Sequence, residues 1–281
     1  MTPREKGFLL LTCELDDGNK PLTTAQFRLL TQRVRKMEKP KEKREVTAED
    51  LMKLGYSYPE AVRILQLFAR KVQLEGYLDR AERYGCVPVT RNTTVYPQKL
   101  RDGLGEDAPA VLWAKGDLSL LSCPAVALVG SRDLGEENRR FAETVGMQAA
   151  KQGYVLVSGN ARGADRTAQD ACLAAGGRVI SIVADKLSAY AHKNNVLYLS
   201  ENSFDSDFSS GRALSRNHLI HSLGIKTFVA QCSLYKGGTW SGTYANLKHG
   251  RSPVFVFDDG SDAAFELVKL GATPADLNII I

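Results

Sequence analysis

The feature that most limits the fold of this chain is an alternation of apolar runs and amphipathic segments in its C-terminal half. The runs 126–129 and 155–157 are continuously apolar, which is typical of strands buried on both faces. Each is followed by apolar residues at helical spacing, such as Phe141 and Val145 after the first run. Buried strands alternating with amphipathic helices predict an α/β fold, with a parallel sheet and helices on both faces.

The N-terminal part has a different, helical pattern. Apolar residues recur at helical spacing after Thr23, and the stretch 47–50 (TAED) resembles a capping box. Gly55 ends that short helix, and Pro59 opens a longer one that we expect to continue through Leu78. Short helices around a glycine fit a helix-hairpin-helix nucleic-acid grip or a small packing unit. The lack of a clear Gly-x-Gly turn favours the packing unit.

The length of 281 residues predicts two domains. We place the boundary near Gly116, which gives an N-terminal helical domain and connector over 1–115 and a sheet domain over 116–281. The connector should contain two short extended pieces, and a third helix-like segment is expected around 187–194. The three consecutive isoleucines 279–281 should form a core strand or an interface, because exposed they would be a liability.

Composition narrows the class of protein. The formal net charge of +5 is compatible with a polyanionic partner but favours one only slightly. The five cysteines are odd in number and form no CxxC pair, which argues against a disulfide framework or a zinc site and for a reducing compartment. The apolar run 8–11 is too short for a signal sequence or a membrane span. These features predict a soluble cytoplasmic protein.

Three of the predicted strands end in glycine-rich loops, at 130–132, 158–165 and 236–243. Ligands of an open parallel sheet bind beyond the carboxyl ends of its strands. Glycine allows a phosphate to approach main-chain N–H groups, and Arg132 and Arg162 can add bidentate, charge-assisted hydrogen bonds. Three such loops on one sheet predict a ligand that carries phosphate.

Other kinds of site are not supported. The sequence has neither the P-loop pattern GxxxxGK[ST] nor a dinucleotide fingerprint, and Ser158 does not lie in GxSxG. His218 and His221 could share one helix face as metal ligands, but no matching acidic or cysteine partner accompanies them. No metal and no cofactor is predicted.

Several motifs together resemble the DNA-processing protein A (DprA/Smf) family. They are ALVGSR, VSGNARGAD, SRNHLI and VAQCSLYKGGTWSGTYANLKHGRSPVFV, and the likeness covers essentially the whole chain. The resemblance implies a small helical (SAM-like) domain followed by a Rossmann-like sheet domain. It also implies single-stranded DNA binding without catalysis, loading of the RecA recombinase, a role in DNA uptake (transformation) or recombination, and a homodimer through the Rossmann-like domain.

The chain departs from the family pattern at several positions. His218 stands at the third position of the RNR motif, Ala164 stands where isoleucine is usual, and Ala191 replaces the proline of xYPxxN. These changes do not affect the expected fold. They leave transformation, repair and phage defence open as biological roles.

The loops and the resemblance together indicate which residues hold DNA. Arg132, Arg162, Arg216 and Lys236 should bind phosphates, with main-chain amides of the glycine-rich loops completing the site. The full set of expected DNA or phosphate contacts is Gly130, Ser131, Arg132, Ser158, Gly159, Arg162, Gly163, Lys193, Arg216, Asn217, Lys236, Gly238, Thr239, Ser241, Gly242 and Thr243.

Stacking side chains should make the binding tolerant of base identity. Tyr190, Phe208 and Trp240 are candidates to stack on bases, although core packing explains each of them equally well. Asp165 would repel a phosphate, so it should orient Arg162 or cap a helix. We expect a preference for single strands over duplex with little sequence preference.

Two alternatives use the same fold. The stretch GGTWSGTYAN resembles the PGGxGTxxE loop of nucleotide phosphoribohydrolases, but Asn246 stands where their glutamate does acid–base work. A neutral amide cannot serve as a general base at pH 7. The other alternative is a nucleotide-sensing module, since phosphate loops alone do not separate a nucleotide from a polymer.

Overall fold

The computed structural model describes residues 1–15, 18–37, 44–279 and 281, which form twelve α-helices and nine β-strands. The helices are α1 (Pro3–Thr12), α2 (Thr24–Arg35), α3 (Ala48–Lys53), α4 (Tyr58–Phe68), α5 (Lys71–Arg83), α6 (Gln98–Leu104), α7 (Glu136–Lys151), α8 (Ala164–Ala174), α9 (Ser210–Ser215), α10 (Asn217–Leu223), α11 (Gly237–His249) and α12 (Asp262–Lys269). The strands are β1 (Val87–Thr90), β2 (Val111–Lys115), β3 (Ala125–Val129), β4 (Val155–Ser158), β5 (Arg178–Ile182), β6 (Val196–Ser200), β7 (Thr227–Val229), β8 (Val254–Phe257) and β9 (Thr273–Ala275).

All nine strands form one sheet in the order β1-β2-β6-β5-β4-β3-β7-β8-β9. Strands β3 to β9 are parallel, as predicted, while β1 and β2 extend one edge as antiparallel strands. These two strands are the extended pieces expected in the connector. Strands β4, β5 and β6 follow one another on one side of β3, whereas β7, β8 and β9 follow one another on its other side. The topological switch point therefore lies between β3 and β7.

Helices cover both faces of the sheet, which confirms the predicted class. Alternate residues of each strand belong to different cores: Val126 and Leu128 of β3 pack with α1, α5, α7 and α8. Ala127 and Val129 face the opposite side and pack with α6, α10, α11 and α12. A third, smaller core joins α1 to α4 around Phe27.

The long helix expected from Pro59 through Leu78 is two helices, because the chain breaks at Arg70. The Arg70 side chain is buried, and its guanidinium donates hydrogen bonds to the carbonyl oxygens of Leu10 and Cys13 at the C-terminal end of α1. A buried guanidinium needs such partners, and α5 therefore starts in a new direction. The capping box at Thr47 is confirmed.

Two further segments differ from expectation. The segment 187–194 forms only a single turn of 3₁₀-helix, Leu187–Ala189, because the chain has to return there to the amino end of the parallel strand β6. The sequence pattern did not predict β6. At the C-terminus Ile281 is buried and Ile279 partly buried against the α7 core rather than in a strand, whereas Ile280 lies outside the described residues.

Within the described ranges, no helix is both long and apolar enough to cross a lipid bilayer.

One buried histidine gives the fold a predicted sensitivity to acid. His221 of α10 is fully buried, and burial lowers its pKa to about 3. The unfolded chain binds a proton near pH 6.5 and the folded chain does not, so stability is complete above pH 6.5 and decreases as pH falls towards 3. Between pH 7 and pH 5, the free energy of unfolding measured with urea should fall by about 2 kcal/mol less in His221→Leu than in the natural chain. The exposed His192, changed to Gln, is the control, and an equal pH response in both variants would contradict the assignment.

Candidate nucleic-acid interface

The three glycine-rich loops meet at the carboxyl edge of the sheet, beside the switch point. The Ser131 amide donates to the carbonyl oxygen of Gln231 at 2.9 Å, and the Ala164 amide donates to the carbonyl oxygen of Ser131 at 3.1 Å. The hydroxyl of Thr239 donates to the carbonyl oxygen of Gly130 at 3.0 Å. The loops after β3, β4 and β7 are therefore one hydrogen-bonded unit.

The glycines of these loops allow close packing. A Cβ atom on Gly130 would lie 2.4 Å from the Cβ of Ala164, and one on Gly163 would lie 2.4 Å from the carbonyl oxygen of Ser131. Gly163 also has a φ of 85°, which favours glycine. Close contact between the loops is thus sufficient to explain why glycine stands at these positions, without a bound phosphate.

Glycines on α11 serve a similar purpose. Cβ atoms on Gly238 and Gly242 would lie 3.2 Å from the Asn217 side chain, so these positions bring α11 close to α10. The Asn217 amide also donates to the carbonyl oxygen of Gly238 at 3.0 Å. Asn217, expected to touch DNA, therefore joins two helices.

Arg216 lies inside the protein, between the loops and α10, with 8% of its side chain exposed. Its guanidinium donates to the carbonyl oxygens of Gly159 and Ile182, which lie at the carboxyl ends of β4 and β5. Its Nη2 atom is 3.9 Å from Oδ2 of Asp165. Burial lowers the pKa of Arg216 and raises that of Asp165, while each charge moderates the shift of the other.

This position changes the expected role of both residues. Arg216 uses its guanidinium to connect two strand ends, whereas the sequence pattern assigned it to phosphate. Asp165 also accepts a hydrogen bond from the Ala161 amide at 3.1 Å, and thereby fixes the second loop. It does not orient Arg162, which pairs instead with Asp133 at 2.7 Å.

Three cationic side chains remain accessible at this edge. Arg132 is exposed and makes no hydrogen bond or ion pair in the described part of the chain. Arg162 is exposed, as is its partner Asp133, and such exposed pairs contribute little and exchange readily. Lys236 is exposed at the start of α11, whose N-terminal amides have no side-chain cap. The dipole of α11 adds positive potential there.

Two neighbouring cavities lie between these side chains. The first, which we name the loop cavity, has a volume of about 390 Å³ and is bounded by the loops after β3 and β7. The second, the side cavity, has a volume of about 320 Å³ and is bounded by the loops after β4 and β5. Both are lined by Arg132, Ala161, Ala213 and Arg216. Arg132 thus borders both cavities, and its guanidinium has no partner in the described ranges.

The three candidate stacking residues have different environments. Phe208 is 56% exposed and lines the side cavity. Tyr190 lines it too, but its ring stacks on Tyr198 at 4.6 Å, and burial raises the pKa of Tyr190 to about 12. Trp240 is buried in the core with Tyr235 packed against its edge, so it is not available to a base.

The structure also separates some expected residues from the loops. Lys193 lies near the amino end of the sheet, because its carbonyl oxygen accepts from the Val196 amide at the start of β6. Ser158 and Thr243 are buried, and the Ser241 hydroxyl bonds back within α11. None of these four side chains lines the loop cavity or the side cavity.

Asn246, which stands where a hydrolase has glutamate, belongs to a buried hydrogen-bonded turn. Its side chain is buried and bonds to the main chain and hydroxyl of Ser252 at 3.0 to 3.2 Å. It therefore holds the turn that leads to β8. An acid–base group is not present at this position.

Several site residues were not predicted from the sequence, among them Asn160, Asp185 and Tyr235. Asn160 and Asp185 line the side cavity, and Tyr235 is 66% exposed beside Lys236. Asn160 and Tyr235 have positive φ angles of 61° and 57°, which is uncommon outside glycine and frequent at functional sites. Asn160 and Asp185 lie within three residues of the ends of β4 and β5, and this position is the signal that could have identified them.

The sequence of this chain matches a known protein family. A model of the family described as DNA recombination-mediator protein A matches residues 88–277, which is more than half of the chain. The chain belongs to this family. The match includes all three loops and all the strands but β1, which it enters at its second residue.

Curated relatives share the same region. The chain is 31% identical over 180 residues to the DNA processing protein DprA of Streptococcus pneumoniae, covering 59% of this chain and 63% of that protein. It is 29% identical over 182 residues to DprA of Bacillus subtilis, covering 59% and 61%. The matched region thus spans somewhat less than two thirds of these family members.

Solved structures of relatives share the fold. The crystal structure of DprA from Streptococcus pneumoniae has a TM-score of 0.73 at 23% identity, with 90% of both chains covered. A structure of DNA processing protein A from Helicobacter pylori, described for its single-stranded DNA binding mode, has a TM-score of 0.56 at 27% identity and covers 67% of this chain and 90% of that one. These likenesses confirm the predicted Rossmann-like fold and the DprA/Smf resemblance.

The buried and the exposed arginine should differ in what their removal costs. Arg216→Ala would leave the buried carboxylate of Asp165 without its countercharge and would remove the donor to two strand-end carbonyls, so we expect a loss of about 3 kcal/mol in the free energy of unfolding. Arg132→Ala should change it by less than about 0.5 kcal/mol. Urea unfolding followed by circular dichroism measures both, and equal losses would show that Arg216 is not a structural connection.

Proposed function

We propose that the protein binds single-stranded DNA at the carboxyl edge of the sheet, with phosphates held by Arg132, Arg162 and Lys236. The observation that carries this proposal is the guanidinium of Arg132, which has no hydrogen-bond partner among the described residues and borders two cavities at the switch point. The uncapped N-terminus of α11 supplies main-chain N–H groups to the same place. The described binding mode of the Helicobacter pylori relative supports this choice of ligand.

The shape of the site favours a flexible strand over a duplex. The cationic groups line concave cavities, so a backbone has to bend to bring successive phosphates into them. A duplex has a fixed phosphate spacing and no unstacked base to offer to the exposed ring of Phe208. The sequence contains no recognition-helix motif for reading a major groove, and stacking tolerates any base.

The preference for single strands is directly measurable. Fluorescence anisotropy should show oligo-dT binding at least about tenfold tighter than a blunt duplex of equal length, a difference of about 1.4 kcal/mol. Arg132→Ala and Arg162→Ala should each weaken oligo-dT binding. Each should also lower the slope of log K against log salt by about 0.7, the value for one phosphate contact on a single strand.

The matched control is Arg139→Ala, an exposed arginine of α7 outside the two cavities. It carries the same change of charge, so it should leave the salt slope nearly unchanged. Equal affinity for duplex, or an equal effect of all three variants, would contradict the proposed site.

The wider role follows the family. We infer that the protein protects single-stranded DNA in the cytoplasm and loads the RecA recombinase onto it, without a catalytic step of its own. The family description as a recombination mediator supports this inference, and so does the structural environment of Asn246, which provides no general base. Transformation, repair and phage defence are all compatible with such a loader.

We further propose a homodimer formed through the Rossmann-like domain. The helix α12 exposes Phe265 (64%) and Val268 (36%), and Leu270 (40%) follows it beside the edge strand β9. Apolar side chains next to a sheet edge are typical of a surface that is covered by another chain.

Sedimentation at tens of micromolar should show a dimer for the natural chain and a monomer for Phe265→Asp. The exposed Tyr58 of α4, changed to Asp, is the matched control and should leave the dimer intact. A monomeric natural chain would contradict the proposal.

A further inference from the structure

The side cavity is lined by two sets of residues of opposite character, which we call its two walls, and the buried Arg216 also lines it. One wall carries the cationic side chains of Arg132 and Arg162, which suit phosphate. The other carries the Asp185 carboxylate and the polar groups of Asn160 and Tyr190. A carboxylate repels phosphate, so the second wall has to face another part of the ligand.

Hydrogen bonds hold this second wall in place. The Asn160 amide donates to the Tyr190 hydroxyl at 3.1 Å, and that hydroxyl donates to the carboxylate oxygens of Asp185 at 2.9 and 3.1 Å. The Tyr190 ring is fixed in turn by its stack on Tyr198. The carboxylate has further lone pairs beyond those that the tyrosine uses, and it can therefore accept another hydrogen bond.

The rest of the cavity suits a flat ring. Phe208 lines it with an exposed side chain, and no other aromatic ring packs against the Phe208 ring in the described part of the chain. The volume of about 320 Å³ lies at the small end of the range for ligand pockets and suits one base rather than a stack of bases. A base that stacks on Phe208 would bring its edge towards the second wall.

We propose that the side cavity accepts one unstacked base of the bound strand and that Asp185 selects a base with an exocyclic amino group, cytosine above thymine. A carboxylate accepts a hydrogen bond from the cytosine N4 amino group, whereas thymine presents its O4 carbonyl oxygen at the same place. Base tolerance through stacking alone, as expected from the sequence, therefore does not hold at this one position. The inference rests on the proposed binding of single-stranded DNA.

Oligo-dC and oligo-dT of equal length provide the test, because the two bases are pyrimidines of similar size and differ at this edge. Fluorescence anisotropy at pH 7.5 should show oligo-dC binding about fivefold tighter or more. Asp185→Asn should reduce this ratio to about one, because an amide can donate to O4 as well as accept from N4. It keeps an acceptor for the Tyr190 hydroxyl, so the fold should be unaffected.

Two variants separate base selection from general effects. Asp207→Asn removes an equal charge next to Phe208, but Asp207 lies outside the cavity lining and is paired with Lys186 at 3.0 Å. It should strengthen both oligonucleotides slightly and leave their ratio unchanged. Phe208→Ala should weaken both by a similar factor, because stacking is tolerant of base identity.

The outcomes distinguish this inference from the proposed function. Equal affinity of the natural chain for oligo-dC and oligo-dT would overturn base selection while leaving single-strand binding intact. A ratio that Asp207→Asn abolishes as completely as Asp185→Asn would also overturn it, because the effect would then be general electrostatics. Failure of both oligonucleotides to bind would refute the proposed function itself.

Discussion

The buried guanidinium of Arg216 is the interaction on which the geometry of the site depends. It connects the carboxyl ends of β4 and β5 through their carbonyl oxygens and neutralises the buried Asp165, which holds the second loop. A guanidinium suits this place because it stays charged and its donors spread in a plane.

This arrangement separates the residues that build the site from those that meet the ligand. The buried arginine and the close-packed glycines fix the positions of the loops, and the exposed Arg132 can then point outwards without being needed for stability. Binding residues on loops that a rigid sheet positions are a common solution in α/β proteins. The same logic applies to the side cavity, where Tyr190 holds Asp185 ready to accept a hydrogen bond.

Part of this account could be predicted from the sequence. The apolar runs predict the parallel strands, and the glycine-rich loops predict where the site lies, because strand ends of a parallel sheet share one edge. The roles of Arg132 and Arg216 could not be told apart, since both are arginines near glycine-rich loops and only the tertiary fold buries one of them. The prediction that Trp240 stacks on a base was wrong for a similar reason. The sequence does not show that the face of α11 that carries Trp240 points towards the core.

Hydrogen–deuterium exchange with and without oligo-dT would test the central claim most directly, because it reports main-chain amides along the whole chain. The account predicts slower exchange on binding in the loops 130–133, 159–163 and 235–239, and little change in α12 and the N-terminal helices. Protection confined to the N-terminal helices or to α12, with the three loops unchanged, would contradict the claim that the strand is held at the carboxyl edge of the sheet.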